Sequence, residues 1–297
     1  MSTSRPARLS VGVVSAGRVG AVVGAAWAAA GHHVVAASGV SRESVRRAAA
    51  LLPDVPLRAP DEVVRGVDLG LLAVPDDVLP GLVRGLAAAG CFRPGQIVVH
   101  TCGAHGVGVL APATEHGVLP LALHPVMTFT GRVEDVARLA GASVSVTAAA
   151  PDEAAWSVGE ALVLEMGAEP VRVAEAVRPL YHAALAHGAN HLVTLVRDCV
   201  QTLEAAGIHP ADRLVAPLLS AALDNALRHG DRGLTGPVAR GDIETVRSHL
   251  RVLTAEDPGL ARTYRALATR TAGRAAAAGM LPESVAADIE ALLAEPP

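Results

Sequence analysis

The chain has 297 residues, 51% of them hydrophobic and 18% charged, with a net charge of −4, which excludes a disordered protein and points to two packed domains. No basic surplus faces phosphates, and only six aromatics (Trp27, Trp156, Tyr181, Tyr264, Phe92, Phe129) could stack bases, so a nucleic-acid binder is excluded. All 25 basic residues are arginine, which rules out a Schiff-base lysine, a phosphate-loop lysine and a lysine general acid.

Leu9 to Val14 reads as a buried first strand. Arg5 and Arg8 ahead of an apolar run imitate a targeting segment, but Arg18 interrupts the run. No charge-free stretch is long enough to span a membrane, so neither targeting nor insertion is expected. The strand enters Ser15-Ala16-Gly17-Arg18-Val19-Gly20, and an alanine-rich helix runs from about Arg18 to Ala30. This is the strand–turn–helix context of the dinucleotide-binding fingerprint Gly-x-Gly-x-x-Gly. There the first glycine makes the tight turn, the second lets backbone approach a pyrophosphate, and the third lets helix and strand pack closely. Gly17 and Gly20 keep the last two roles. Ser15 replaces the first glycine, so the turn is made with a Cβ in place, at a cost in strain or with a hydroxyl offered to the phosphate. The plain alternative is a glycine-rich turn with no ligand.

Val34 to Ala37 gives a second strand, followed by Ser38-Gly39-Val40-Ser41-Arg42-Glu43-Ser44. An acidic residue here would hold the ribose 2′-hydroxyl of NAD; hydroxyls and Arg42 instead suit a 2′-phosphate, so NADP is favoured over NAD. Ser41 reads equally as the cap of the helix starting at Arg42. Val67 to Val74 is another buried strand, ending at Pro75, with a helix to about Ala89 and a strand over Gln96 to His100. Strands alternating with helices mean a parallel, doubly wound sheet, whose ligands bind outside the carboxyl ends of the strands. Ser15 to Gly20, Ser41 and Arg42, Val74 and Pro75, and Thr101 to Gly103 then lie along one edge.

Val118 to Leu123, ending in His124-Pro125, and Val144 to Thr147 are further strands. A helix near Asp152 to Met166 and a short strand over Pro170 to Val173 close this half. From Val177 the pattern turns wholly helical: Val177 to Ala206, Pro210 to Arg228, a glycine-rich loop over Gly230 to Gly241, then helices near Asp242 to Leu253, Pro258 to Ala278 and Pro282 to Ala294. The expected fold is a doubly wound α/β domain, residues 1–175, followed by an all-helical domain, residues 176–297, whose apolar faces would meet across a homodimer. Cys91, Cys102 and Cys199 are odd in number and far apart, as in a reducing, cytoplasmic protein.

Three segments carry a resemblance: His124-Pro125-Val126-Met127-Thr128-Phe129; Tyr181-His182-Ala183-Ala184 with Asn190; and Leu234-Thr235-Gly236-Pro237-Val238-Ala239-Arg240-Gly241-Asp242. The chain resembles, over essentially its full length, a family of Rossmann-like oxidoreductases with a helical C-terminal domain of unassigned function. That family belongs to the 6-phosphogluconate dehydrogenase-like group, with the β-hydroxyacid dehydrogenases and the ketopantoate and pyrroline-5-carboxylate reductases. The resemblance implies the fold, a nicotinamide cofactor and a dimer, and no substrate.

In the related hydroxyacid dehydrogenases a lysine on the long helix donates the proton and an asparagine one turn later anchors the substrate. Asn190 matches the asparagine, but Ala186 stands at the lysine, and His182 lies one turn before it. Positions 182, 186 and 190 share one helix face, so His182 is a proton donor by position and chemistry, with helix packing as its alternative. His124 at its strand end suits a substrate carboxylate or the nicotinamide ribose, with a simple turn role as the alternative. Arg240 could clamp a carboxylate or phosphate, while Asp242 reads as a helix N-cap. Cys102 reads as a small buried residue before a nucleophile, and His187 and His191, four apart, have no evident third ligand for a metal. The expected activity is NAD(P)-dependent reduction of a C=O or C=N bond in a small carboxylate-bearing substrate. The alternatives are a non-catalytic dinucleotide-binding dimer and a ketopantoate reductase-like enzyme.

Overall fold

The computed structural model describes residues 8–150 and 152–295; Arg5 lies outside the described residues. The chain divides into two compact units, Met1–Ala189 and Asn190–Pro297. In the first, apolar β-branched runs make strands and alanine-rich runs make helices, in the order β1 (Ser10–Val14), α1 (Arg18–Ala29), β2 (His33–Ala37), α2 (Arg42–Leu51), α3 (Pro60–Val64), β3 (Leu69–Leu72), α4 (Leu79–Ala88) and β4 (Ile97–His100). Then follow α5 (Ala111–Thr114), β5 (Leu119–Pro125), α6 (Glu134–Leu139), β6 (Ser143–Ala148), α7 (Glu153–Glu165), β7 (Glu169–Arg172) and the start of α8 (Arg178–Ala205).

The strands form one seven-stranded sheet in the order β2-β1-β3-β4-β5-β6-β7. The chain crosses from one side of β1 to the other between β2 and β3, which makes the end of β1 the switch point where such sheets bind ligands. β1, β3 and β4 are almost wholly buried, as strands covered on both faces must be. One core cluster contains Val11, Val13, Trp27, Leu121 and Val163, and the other Val14, Val63, Leu72, Leu79 and Val98. Trp27 is fully buried and donates its indole N–H to the Leu162 carbonyl at 3.0 Å, tying α1 to α7.

Two expectations are corrected here. The sheet is not wholly parallel: β5 and β6 pair antiparallel, with His124 opposite Ser145 and Ala122 opposite Thr147. No crossover helix of ordinary length joins them; the connection contains only the six-residue α6. The stretch Gly230–Gly241, read as a loop, contains a 3-10 turn over Gly230–Gly233 and the helix α10 (Gly236–Arg240). Like α3, α5 and α6, it is too short for a 3.6-residue period to appear.

The second unit holds the remainder of α8 with α9 (Ala211–His229), α10, α11 (Ile243–Glu256), α12 (Pro258–Ala277) and α13 (Glu283–Ala294). Its main core is alanine-rich, with Ala268, Ala272 and Ala275 of α12 packing with Val246, Leu250, Ile289 and Leu292. Asp242 caps α11 by accepting from Thr245 N at 3.1 Å, and Asp257 caps α12 by accepting from Gly259 N at 2.6 Å. Leu214, Leu218 and Leu227 of α9 are exposed, at 57%, 68% and 79%. Among the described residues no helix is long and apolar enough to cross a membrane.

Candidate active site

The carboxyl ends of the central strands are level: Val13 pairs with Ala37, and Val14 with Leu72, which pairs with His100. Ser15, Ser38, Ala73 and Thr101 therefore leave the sheet side by side. Ser15 sits at φ 74°, the left-handed region that costs a residue with a Cβ about 1–2 kcal/mol. The turn is held by β2: Ser15 N donates to the buried Ser38 hydroxyl at 2.8 Å, and Ala16 N to the Ser38 carbonyl at 2.6 Å. Among the described residues the Ser15 hydroxyl itself has no hydrogen-bond partner. Gly17 caps α1 with no side chain in place, leaving the first N–H groups of a twelve-residue helix open to an anion. A Cβ at Gly20 would collide with the Ser15 carbonyl oxygen and reach Ala73 Cβ at 2.9 Å, so the close helix–strand approach assigned to the third glycine is present.

Cations border this turn. Arg18 begins α1, and a Cβ at Gly131 would meet Arg47 at 2.7 Å and Arg18 at 3.0 Å, so the segment after β5 folds back onto both side chains. That segment is pinned by the fully buried Asp135, which accepts from Thr130 N at 2.6 Å and Gly131 N at 2.7 Å. Burial pushes this carboxyl upward, and the backbone N–H groups of Gly131, Thr130 and Arg132 with the Thr130 hydroxyl outweigh it, leaving the pKa below the carboxylate range. Among the described residues Arg18, Arg42 and Arg47 have no carboxylate partner. Ser41 caps α2, accepting from Ser44 N at 3.1 Å. The open helix start, the glycine-allowed approach and the unpaired guanidinium groups beside β2 fit the phosphates of a dinucleotide.

The next strand ends shape the other side. The Val74 carbonyl accepts from the Cys102 thiol at 3.6 Å, Pro75 O receives Val78 N at 3.0 Å, and Thr101 N reaches Leu72 O at 3.4 Å. Burial raises the Cys102 thiol far above its ordinary pKa, so it is a packed, unreactive side chain. His100, fully buried, accepts from Cys102 N at Nδ1 (3.2 Å) and therefore donates through Nε2 to Gly106 O (2.9 Å). Both bonds need the neutral ring, and burial lowers its pKa to about 4.

His124 and His182, far apart in sequence, stand edge to face with ring centroids 6.0 Å apart. They converge over Gly103, where a Cβ would collide with His182 Cδ2 and lie 3.0 Å from His124 Nε2. His124 Nδ1 is 2.9 Å from the Tyr181 hydroxyl. Burial, then the charges of Arg178 and His182, lower the His124 pKa to about 4, so the ring is neutral at pH 7. Arg178 is 0% exposed and donates to Thr147 Oγ1 at 2.7 Å, Ser145 Oγ at 3.5 Å and the Cys102 carbonyl at 2.7 Å. Its guanidinium carbon lies 5.8 Å from the Tyr181 ring centre. Asn190 and Arg240 belong to the second unit, both exposed, with Arg240 at the end of α10 and Asp242 capping α11.

Sequence reasoning missed Arg178 and Arg47 and gave Tyr181 no chemistry. For Tyr181 a signal existed in its place beside His182; Arg178 and Arg47 are marked only by contacts with distant segments. Among the described residues no group of three or more His, Cys, Asp or Glu could hold a metal ion.

A family model described as a Rossmann-like domain matches residues 1–125, and one described as a domain of unknown function, DUF2520, matches residues 143–271. No curated protein matches the sequence. A Bacteroides fragilis protein described as a candidate NADP oxidoreductase superposes with a TM-score of 0.74 at 20% identity, over 89% of this chain and 98% of its own. An imine reductase from Myxococcus stipitatus in complex with NAD+ gives 0.61 at 17% identity, over 95% and 99%. The pyrroline carboxylate reductase of Plasmodium falciparum with NADP bound gives 0.56 at 11%, over 96% and 98%. At these identities the likeness is one of fold. The chain thus matches a Rossmann-like domain over residues 1–125 and the DUF2520 domain over residues 143–271.

Proposed function

We propose that this protein is an NADPH-dependent oxidoreductase that reduces a C=O or C=N bond in a small carboxylate-bearing substrate. The observation that supports this most is the meeting of His124 and His182 over Gly103, beside strand ends that include the dinucleotide turn. Ser15, Ala16, Gly17, Arg18, Val19 and Gly20 would hold the pyrophosphate, with Ser41, Arg42 and Arg47 near a 2′-phosphate and Val74, Pro75 and Thr101 on the nicotinamide side. The nicotinamide, when bound, supplies a hydride. His182 donates the proton, and His124 orients the substrate or ribose. With no lysine in the chain, an imine whose nitrogen arrives already protonated is the easier substrate. The exposed leucines of α9 support a homodimer through the helical part, and three free cysteines support a cytoplasmic location.

Fluorescence titration with NADPH and NADH, then a panel of keto acids (ketopantoate among them) and cyclic imines, tests the reading. NADPH is expected to bind more tightly, and His182→Ala to lose turnover by roughly 10²-fold or more, the usual contribution of a positioned acid. Binding of neither nucleotide would remove the enzyme, and unaltered turnover in the variant would remove His182. A second reading, a non-catalytic dinucleotide sensor, is favoured by the left-handed Ser15; binding without hydride loss across the panel selects it.

A further inference from the structure

Arg178 poses an electrostatic question that the proton-donor reading leaves open. A guanidinium taken wholly out of water costs several kcal/mol unless an opposite charge meets it. Arg178 is 0% exposed, yet its hydrogen bonds go only to neutral oxygens, those of Thr147, Ser145 and Cys102. Glu175 and Asp76 act on it only at longer range, and no carboxylate among the described residues pairs with it. Among the described residues its Nε has no hydrogen-bond partner. Burial lowers its pKa, but a guanidinium stays protonated at neutral pH. Just above it on α8, Tyr181 and His182 are half-buried; with the Tyr181 hydroxyl donating to His124 Nδ1, the neutral His124 ring carries its hydrogen on Nε2, which faces Gly103 together with the His182 ring.

We propose that this edge is a subsite for a carboxylate or similar monoanion, with the ring N–H groups of His124 and His182 as its direct donors, Tyr181 fixing the His124 tautomer by donating to Nδ1, and Arg178 as the fixed buried cation that attracts the charge. The inference rests on the reading of the edge as a substrate site and names the end of the substrate that docks there. A neutral His124 serves such a ligand, because its ring N–H donates without adding a charge that would be lost at higher pH. The charged and titratable groups acting on that ring are Arg178, Tyr181 and His182 from α8 and Asp76 after β3.

The test is a titration of the full-length protein, without nucleotide, with acetate and with the neutral isostere acetamide, followed by the ring resonances of His124 and His182. Acetate is expected to shift both saturably and to raise the apparent pKa of His124, and acetamide to do neither. Arg178→Met should weaken acetate at least tenfold, and Arg178→Lys should restore part of the loss. Equal responses to acetate and acetamide, or unchanged acetate binding in Arg178→Met, would overturn the proposal. Should Arg178→Met fail to fold, the acetate and acetamide contrast on the wild-type protein decides alone. Failure of nucleotide binding would remove the oxidoreductase reading without touching this result.

Discussion

The Ser15 turn offers the sharpest test, because strain from its Cβ and the use of its hydroxyl separate cleanly. At φ 74° the Cβ costs about 1–2 kcal/mol, and glycine returns roughly 0.5–1 kcal/mol of that gain through its freer unfolded chain. Ser15→Gly is therefore expected to stabilise the first unit by about 0.5–1 kcal/mol. Ser15→Ala keeps the Cβ and should gain nothing. Both tryptophans, Trp27 and Trp156, lie in this unit, and Trp27 is buried on α1, directly after the turn. Urea unfolding followed by tryptophan fluorescence thus reads the relevant unit alone; at a slope of about 2 kcal/mol per molar, the glycine variant's midpoint rises by ~0.3–0.5 M. Both variants lose the hydroxyl, and if it meets the phosphate both should bind NADPH about fivefold more weakly, the equivalent of one ordinary hydrogen bond. A glycine variant no more stable than wild type, or an alanine variant equally stabilised, would refute the strain argument.

Two further outcomes follow from the same geometry. His100 is protonated near pH 4 when folded and near pH 6.5 when unfolded, so between these values the unfolded chain binds more protons and stability falls as pH drops. At about 1.4 kcal/mol per pH unit the full loss down to pH 4 is on the order of 3 kcal/mol, about 2 kcal/mol of it above pH 5; His124 acts in the same direction, and urea midpoints at pH 7.5 and 5 check that part. Gly103→Ala would drive a methyl into the two imidazoles, so NADPH affinity should stay within about twofold while turnover falls by roughly 10²-fold, the cost of misplacing catalytic groups; equal losses in both would place the damage elsewhere.

Much of the α/β half was legible because its strands are buried on both faces and read as unbroken apolar runs between glycine and proline signals. The fingerprint placed a tight turn at Ser15 and left strain or a phosphate-facing hydroxyl open; the structure puts the residue in the left-handed region at φ 74°. The reversal of β6 was not legible, since pairing direction leaves no mark on a strand's own periodicity. Arg178 was also hidden. Between Val177 and Pro179 it looks like a solvated charge at a helix start, and its burial is decided by Cys102, Ser145 and Thr147, which lie 76, 33 and 31 residues away.

These two omissions are connected. Because β6 runs antiparallel to β5, the residue beside His124 is Ser145, and Thr147 lies two places further on the same face. Thr147 donates its own hydrogen to the Val173 carbonyl at 2.5 Å, which turns its oxygen lone pairs toward Arg178. The reversed strand thus supplies neutral acceptors beneath the one end of the sheet where His124 and Tyr181 also meet. Neutral acceptors hold a guanidinium in place without cancelling its charge. A carboxylate at the same positions would cancel that charge and leave the edge at Gly103 with no field for an arriving anion. Hydroxyls at Ser145 and Thr147 hold the guanidinium without an opposite charge, as the proposed subsite requires.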